Sequence, residues 1–324
     1  MSSVSALADR LQAARELSWR HLGKTIVFYL PGMIRLDRTN GKYPALSITG
    51  GDCILGCDHC QGTILNGMMH VKSPGQLVSR CRRLAEKGHH GVLISGGCNA
   101  GGQLPWDRFI PAIQEIKAET DLFISVHSGL VNDPDAFRLK QAGVDQALID
   151  VIGDDETFKT VCHVPFGVNR IEAAMASLHR ARIPIVPHIV CGVRYGKTRG
   201  EKNAVAMISR FKLQQVVIVS LMPIPGTRME KARPPAPETV ADIIAEVRFA
   251  MPHTPISLGC ARQRGNSRME VMAIEAGVNR LALPSEKAVE KAVAYGLSIR
   301  YQKTCCSVSR DLSTPSWDAQ FSSE

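Results

Sequence analysis

Cys53, Cys57 and Cys60 fall within eight residues of one another, in the run Gly50-Gly51-Asp52-Cys53-Ile54-Leu55-Gly56-Cys57-Asp58-His59-Cys60. Thiolates at such spacing are metal ligands. A structural zinc takes four protein ligands, commonly as two C-x2-C pairs. A C-x3-C-x2-C run therefore recruits His59 or a distant residue as the fourth ligand, or leaves one metal position open. An open position implies chemistry, and three cysteines on an iron–sulfur cluster leave one iron free in this way. The chain has ten cysteines. In a reducing compartment that number points to metal or redox chemistry rather than a disulfide framework.

A second set comprises Cys98, Cys191 and Cys260, together with the adjacent Cys305 and Cys306. Any one buried cysteine is often only a small hydrophobe. Cys98, Cys191 and Cys260 each stand at or just after the end of an expected strand, so they are expected at one mouth. With Cys305 or Cys306 they could supply four thiolates to an auxiliary iron–sulfur cluster. Cys81 lies in a helical stretch and Cys162 in a loop, and both are read as structural.

These residues need elements to position them. Short β-rich runs at 45–49, 92–95, 122–127, 147–151, 185–191, 216–221, 256–258 and 280–283 alternate with amphipathic stretches near 74–88, 106–118, 133–142, 168–181, 200–211, 236–250 and 267–276. Eight βα units predict a (β/α)8 TIM-type barrel, closed or open, whose active face is built by the loops after the strands. The three-cysteine run directly follows the first strand.

Residues 1–42 read as an N-terminal appendage, with Leu7, Leu11, Ala14 and Leu17 at helical spacing over 4–22 and an extended run at 25–30. Residues 43–296 form the barrel and 297–324 a C-terminal extension. A last helix at 286–296 precedes an extended run at 298–303, whose direction carries Cys305 and Cys306 back toward the active rim. The final dozen residues, rich in Ser and Thr, are expected to be disordered.

Composition narrows the class. Apolar residues make up 44% of the chain and aromatic ones 5%, which suits a globular enzyme. The first 30 residues include no uninterrupted apolar h-region of a secretory signal, and no stretch approaches the roughly 20 apolar residues that cross a bilayer. A cytoplasmic protein without membrane contact is the expectation. The net charge of +9 could steer an anionic cofactor, an acidic protein or nucleic acid. Nucleic acid is disfavoured, because there is neither a Lys/Arg stripe interleaved with aromatics nor a second C-x2-C pair. A zinc-stabilised binding module is the non-enzymatic alternative.

The cysteine run and its place after the first strand resemble the radical S-adenosylmethionine (SAM) superfamily, whose motif is C-x3-C-x-aromatic-C, with His59 at the aromatic position. The resemblance implies a [4Fe–4S] cluster on Cys53, Cys57 and Cys60 that reductively cleaves SAM to a 5′-deoxyadenosyl radical, with an electron donor such as ferredoxin or flavodoxin. It implies cofactor contacts at Gly96 and Gly97, although Cys98 replaces the acidic residue often found next. It implies others at Gly192, in His188-Ile189-Val190-Cys191-Gly192, and at Met222, which opens Met222-Pro223-Ile224-Pro225-Gly226-Thr227. His127 and Asp150, at strand ends, are candidates to meet ribose or substrate.

Residues 256–262 and 272–279 look like the seventh and eighth units of biotin synthase. Arg262 matches an arginine that helps bind an auxiliary cluster there. Ser95 and Val186 stand where that family has cysteines. The late Cys305-Cys306-Ser307 resembles one subunit of the two-protein lipoyl synthases. That likeness implies sulfur insertion into an octanoyl chain on a carrier protein, with a partner synthase subunit. The runner-up is a biotin synthase-like or other radical SAM reaction on a small molecule, without sulfur insertion, in which the second cysteines only pack or relay electrons.

Overall fold

The alternating pattern builds one curled sheet wrapped by helices. The computed structural model describes residues 3–32, 34–36 and 39–317. In chain order they form helix α1 (Ser3–Leu22), then strands β1 (Thr25–Tyr29), β2 (Arg35–Leu36), β3 (Thr39–Asn40), β4 (Ala45–Ser47) and β5 (Met69–His70). The alternation continues with α2 (Pro74–Glu86), β6 (Gly91–Ser95), α3 (Trp106–Glu119), β7 (Phe123–His127), α4 (Asp133–Gln141) and β8 (Gln146–Asp150). Next come α5 (Asp155–Cys162), α6 (Asn169–Arg180), β9 (Ile185–Cys191), α7 (Glu201–Ile208), β10 (Val216–Ser220) and α8 (Pro237–Ala250). The last are β11 (Ile256–Leu258), α9 (Ser267–Glu275), β12 (Arg280–Ala282), α10 (Glu286–Ala294) and β13 (Ser298–Gln302).

All eight expected strands form, as β4 and β6 to β12. Apart from the β2–β3 hairpin, the strands make a single sheet in the order β13-β1-β12-β11-β10-β9-β8-β7-β6-β4-β5, parallel at every pairing. This is the (β/α)8 TIM-type architecture in an open, curled form. Across its seam one backbone bond, Lys42 N to Lys303 O at 2.7 Å, joins the chain before β4 to the chain after β13. The N-terminal strand does not stand apart as an appendage, because β1 lies between β12 and β13. Ile26, Phe28 and Tyr29 are buried there, as a strand covered on both faces requires.

Side-chain alternation sorts each strand into a concave and a helix-covered face. On β8, Ala147 and Ile149 join the layer packed under the helices. Leu148 instead clusters with Val186, Val217 and Val219, the apolar lining of the concave side. Gln146 and Asp150 share its face.

After β13 the chain turns into this interior. Gln146 Nε2 donates to Ser307 O (2.8 Å), Gln215 Nε2 to Cys306 O (2.7 Å) and Arg280 Nη1 to Val308 O (3.0 Å). Gln146 and Arg280 open their strands and Gln215 just precedes β10. Cys305 and Cys306 therefore enter from the N-terminal ends of the strands, not at the active rim where chain direction placed them. Buried polar groups at the strand starts need partners, and the tail's carbonyls supply them. Farther on, Thr314 N donates to Tyr301 O at 2.7 Å, so part of the stretch expected to be disordered is paired. Residues 318–324 lie outside the described residues. No described helix is long and apolar enough to cross a membrane.

Candidate active site

β4 delivers the cysteine run to its C-terminal end, and short polar bonds shape the loop. Ser47 Oγ donates to Gly50 O (2.6 Å) and Thr49 Oγ1 to Asp52 O (3.0 Å). The loop after β6 packs directly on it. Gly97 N donates to Thr49 Oγ1 (2.7 Å) and Ile54 N to Cys98 O (2.9 Å). A Cβ on Gly97 would stand 2.0 Å from Asp52 O and 2.6 Å from Cys53 Cα. Only glycine fits there.

All ten cysteines are free thiols. Burial pushes Cys60 up to about 12, and the neighbouring Cys57 and Cys53 add to the rise. Cys98 is raised to about 12 in the same way, by burial and then by Cys53 and Cys57, so it belongs with this group. A hydrogen bond with Cys162 holds Cys57 below its ordinary value. A pocket that gathers these thiols suits a metal centre, which deprotonates coordinating thiols. Around one zinc, with bonds of about 2.3 Å, three sulfurs would sit about 3.8 Å apart. Among the described residues, the trio of possible ligand atoms within 4.8 Å of one another is His127, Asp150 and His188. The wider cysteine spread fits a cluster rather than a single ion. His59 Nδ1 is buried beside it without a partner.

Asp58, between Cys57 and His59, is the loop's anchor. Its carboxylate accepts from Tyr195 Oη, lies beside His163 Nε2 and accepts from Arg228 Nη1, each at 2.7 Å. Its own N–H donates to Val161 O (2.9 Å), and Arg228 N donates to Gln61 Oε1 (3.0 Å). Burial pushes the carboxyl up, but the bonds to Tyr195, Arg228 and His163 outweigh it and hold Asp58 below the usual carboxylate range. Gln61, His163 and Tyr195 all have left-handed backbones, with φ of 43°, 56° and 52°. Such conformations persist where surrounding contacts over-determine them.

Deeper in the concave side, Cys260, Cys306 and Cys305 form a hydrogen-bonded chain of thiols. The Cys306 bond, then Ser307, lowers Cys305 to about 6 despite burial, with His127 contributing. Cys305 Sγ is 3.0 Å from Ser307 Oγ. Of the second cysteine set, the structure brings these three together and not the other two. Cys98 lies at the cysteine loop. Cys191 is fully buried on the helix-covered face of β9, where burial and then Glu201 raise it. Strand alternation explains the difference, because even-numbered β9 residues face inward and Cys191 does not. Cys81 is buried in α2.

Other expected site residues stand at the C-terminal ends of the strands. A Cβ on Gly96 would stand 3.1 Å from Thr49 Oγ1, and Gly192 N donates to Glu201 Oε1 at 2.8 Å. Met222, just past β10, is 38% exposed. Asp150 is paired with His127 Nε2 at 3.6 Å. Burial lowers His188 to about 4. Arg262 is fully buried and forks to Glu270 Oε1 (2.7 Å), Gly259 O (2.6 Å) and Ala282 O (2.7 Å). Its guanidinium serves the fold.

Sequence reading did not single out Asp58, His163, Tyr195 or Arg228, which meet from four separate loops. No spacing rule announces such a meeting. It also read Cys162 as structural, whereas the fold sets it against Cys57. For His188 the sequence signal is strand alternation, which sets it on the same inward face as His127.

The chain is similar to known proteins over most of its length. The Radical SAM superfamily profile matches residues 47–198, and the Biotin and Thiamin Synthesis associated domain matches residues 218–312. The chain is 23% identical over 289 residues to a biotin synthase of Halorhodospira halophila, covering 86% of this chain and 82% of that one. It is 24% identical over 275 residues to a biotin synthase of Dechloromonas aromatica, covering 82% and 80%. The fold is shared with methylornithine synthase (TM-score 0.63, 17% identity, covering 92% and 90%). It is also shared with the FeFe-hydrogenase maturase HydG from Carboxydothermus hydrogenoformans (TM-score 0.63, 17% identity, covering 92% and 73%).

Proposed function

This chain is a biotin synthase-like radical SAM enzyme, and from that premise we propose that it inserts sulfur at an unactivated carbon. In this reading Cys53, Cys57 and Cys60 hold a [4Fe–4S] cluster, and Cys260, Cys305 and Cys306 hold an auxiliary one. The substrate is an octanoyl chain on a carrier-protein lysine, as in the two-protein lipoyl synthases, with a partner synthase subunit and a ferredoxin- or flavodoxin-type reductant. The observation that carries it is the gathering of Cys260, Cys305 and Cys306 inside the sheet, separate from the loop after β4.

When bound, the first cluster supplies the electron that cleaves SAM to methionine and a hydrogen-abstracting 5′-deoxyadenosyl radical, and the auxiliary one supplies the sulfur. The chain's own residues arrange the rest. Gly97 lets the β6 loop lie against the cysteine loop, and the Gly96-Gly97 backbone is placed to hold the methionyl end of SAM. Gly192, Met222 and His59 border the adenosyl side. Leu148, Val186, Val217 and Val219 form an apolar wall. On β8, Leu148 lies between Gln146, which holds the tail, and Asp150 at the strand's end. Such a wall suits an alkyl chain and keeps water from a radical. The net charge of +9 favours docking of an acidic carrier.

A second reading, a biotin synthase-like reaction on a small molecule, is favoured by the relatives' names and the match over residues 218–312. One assay separates the two. The reconstituted enzyme is incubated anaerobically with SAM, a reductant and an octanoyl-lysyl peptide, with and without a partner synthase subunit. Release of 5′-deoxyadenosine with sulfur on the octanoyl carbons supports the first reading. Release of 5′-deoxyadenosine while the peptide is recovered unchanged in both arms moves the assignment to the second.

A further inference from the structure

We propose that His127, Asp150 and His188 form a binding site for a single divalent transition-metal ion, zinc or ferrous iron, with ligands distinct from those of both cysteine groups. The three residues come from adjacent parallel strands, β7, β8 and β9. Asp150 and His188 are register partners, and His127 ends β7 one strand away. All three occupy inward-facing positions of the alternation, so their side chains converge on the concave side. Each contributes one ligand atom, and these atoms lie within 4.8 Å of one another.

The spacing is close to what an ion needs. With metal–ligand bonds of about 2.0–2.1 Å, neighbouring nitrogen and oxygen donors sit about 3–3.5 Å apart. His127 Nε2 and Asp150 Oδ1 are 3.6 Å apart, which small side-chain rotations close. The His188 ring is already oriented for the purpose. Its Nδ1 lies 3.2 Å from Val186 O, and a proton shared there leaves the Nε2 lone pair for a cation. Metal-binding histidines are commonly held by such an outer hydrogen bond.

A simple ion pair would need only one of the imidazoles. Here two converge on one carboxylate, with ring centroids 5.9 Å apart. Two imidazoles and a carboxylate favour a borderline first-row ion, whereas thiolates favour iron–sulfur chemistry. Three protein ligands also leave positions open, and the Asp150 side chain, 56% exposed, makes the site reachable for a substrate oxygen or water. In this assignment Asp150 serves the ion rather than the SAM ribose. The proposal does not depend on sulfur insertion.

The test uses the cluster-loaded protein under anaerobic conditions, treated with a mild chelator and dialysed against zinc chloride. Bound zinc is counted and its X-ray absorption edge recorded. The expected result is one zinc per chain, with a nitrogen/oxygen shell at about 2.0–2.1 Å. Its affinity falls by at least about tenfold in His127→Ala and in His188→Ala, with iron content and melting temperature unchanged. If either alanine variant loses iron or melts early, His188→Gln gives the same comparison with less change in volume. No retained zinc, a sulfur shell near about 2.3 Å, or zinc indifferent to both histidines would overturn the proposal.

Discussion

Asp58 decides the shape of the cysteine loop, because its buried carboxylate collects Tyr195, Arg228 and His163 from three distant segments. Asp58→Ala leaves those donors without their shared acceptor. It should cost about 2–4 kcal/mol in urea unfolding and speed iron loss to a chelator. The folded carboxyl lies below its ordinary value. The stability it contributes is therefore present above about pH 4 and is lost as pH falls through the lower folded value. Asp58→Asn should accordingly show a shallower acid limb than the parent in stability measured from pH 6 downward, and an unchanged limb would refute this role. The thiols could be read from spacing alone. Asp58's partners could not, since each sits in its own loop and only the folded backbone brings them together.

At the scale of elements, loop contact and helix capping make opposite predictions. Gly97→Ala forces the β6 loop away from Asp52 and Cys53. It should lower the iron held by Cys53, Cys57 and Cys60 at a stability cost of about 1–3 kcal/mol. Asn132 caps α4 by accepting from Asp135 N at 2.9 Å. Asn132→Ala should cost about 1 kcal/mol and leave iron content untouched. Comparing the two variants by iron assay and thermal melting checks both. Each strand from β4 to β12, β5 excepted, was visible in the sequence because buried parallel strands leave short β-rich runs between helical periods. The eight-residue helix α5 was not, because α6 follows it with no strand between them, which breaks the alternation of single strands and single helices. Strand direction alone also misplaced Cys305 and Cys306, because it carries no information on whether a chain turns inward.

For the whole molecule, the inward turn of the tail is the feature that separates two groups of cysteines within one sheet. Gln146 and Gln215 hold it through the carbonyls of Ser307 and Cys306. Replacing both glutamines by leucine strands those acceptors at about 1–3 kcal/mol each. It should also loosen Cys305 and Cys306 while sparing the loop after β4. The most direct test of the two-centre account is to count iron and sulfide in anaerobically reconstituted protein. Two [4Fe–4S] clusters predict about eight irons per chain. The count should fall to about four when Cys53, Cys57 and Cys60 become alanine, and to about four when Cys260, Cys305 and Cys306 do. A parent holding about four irons, none after the first replacement and all after the second, would contradict it.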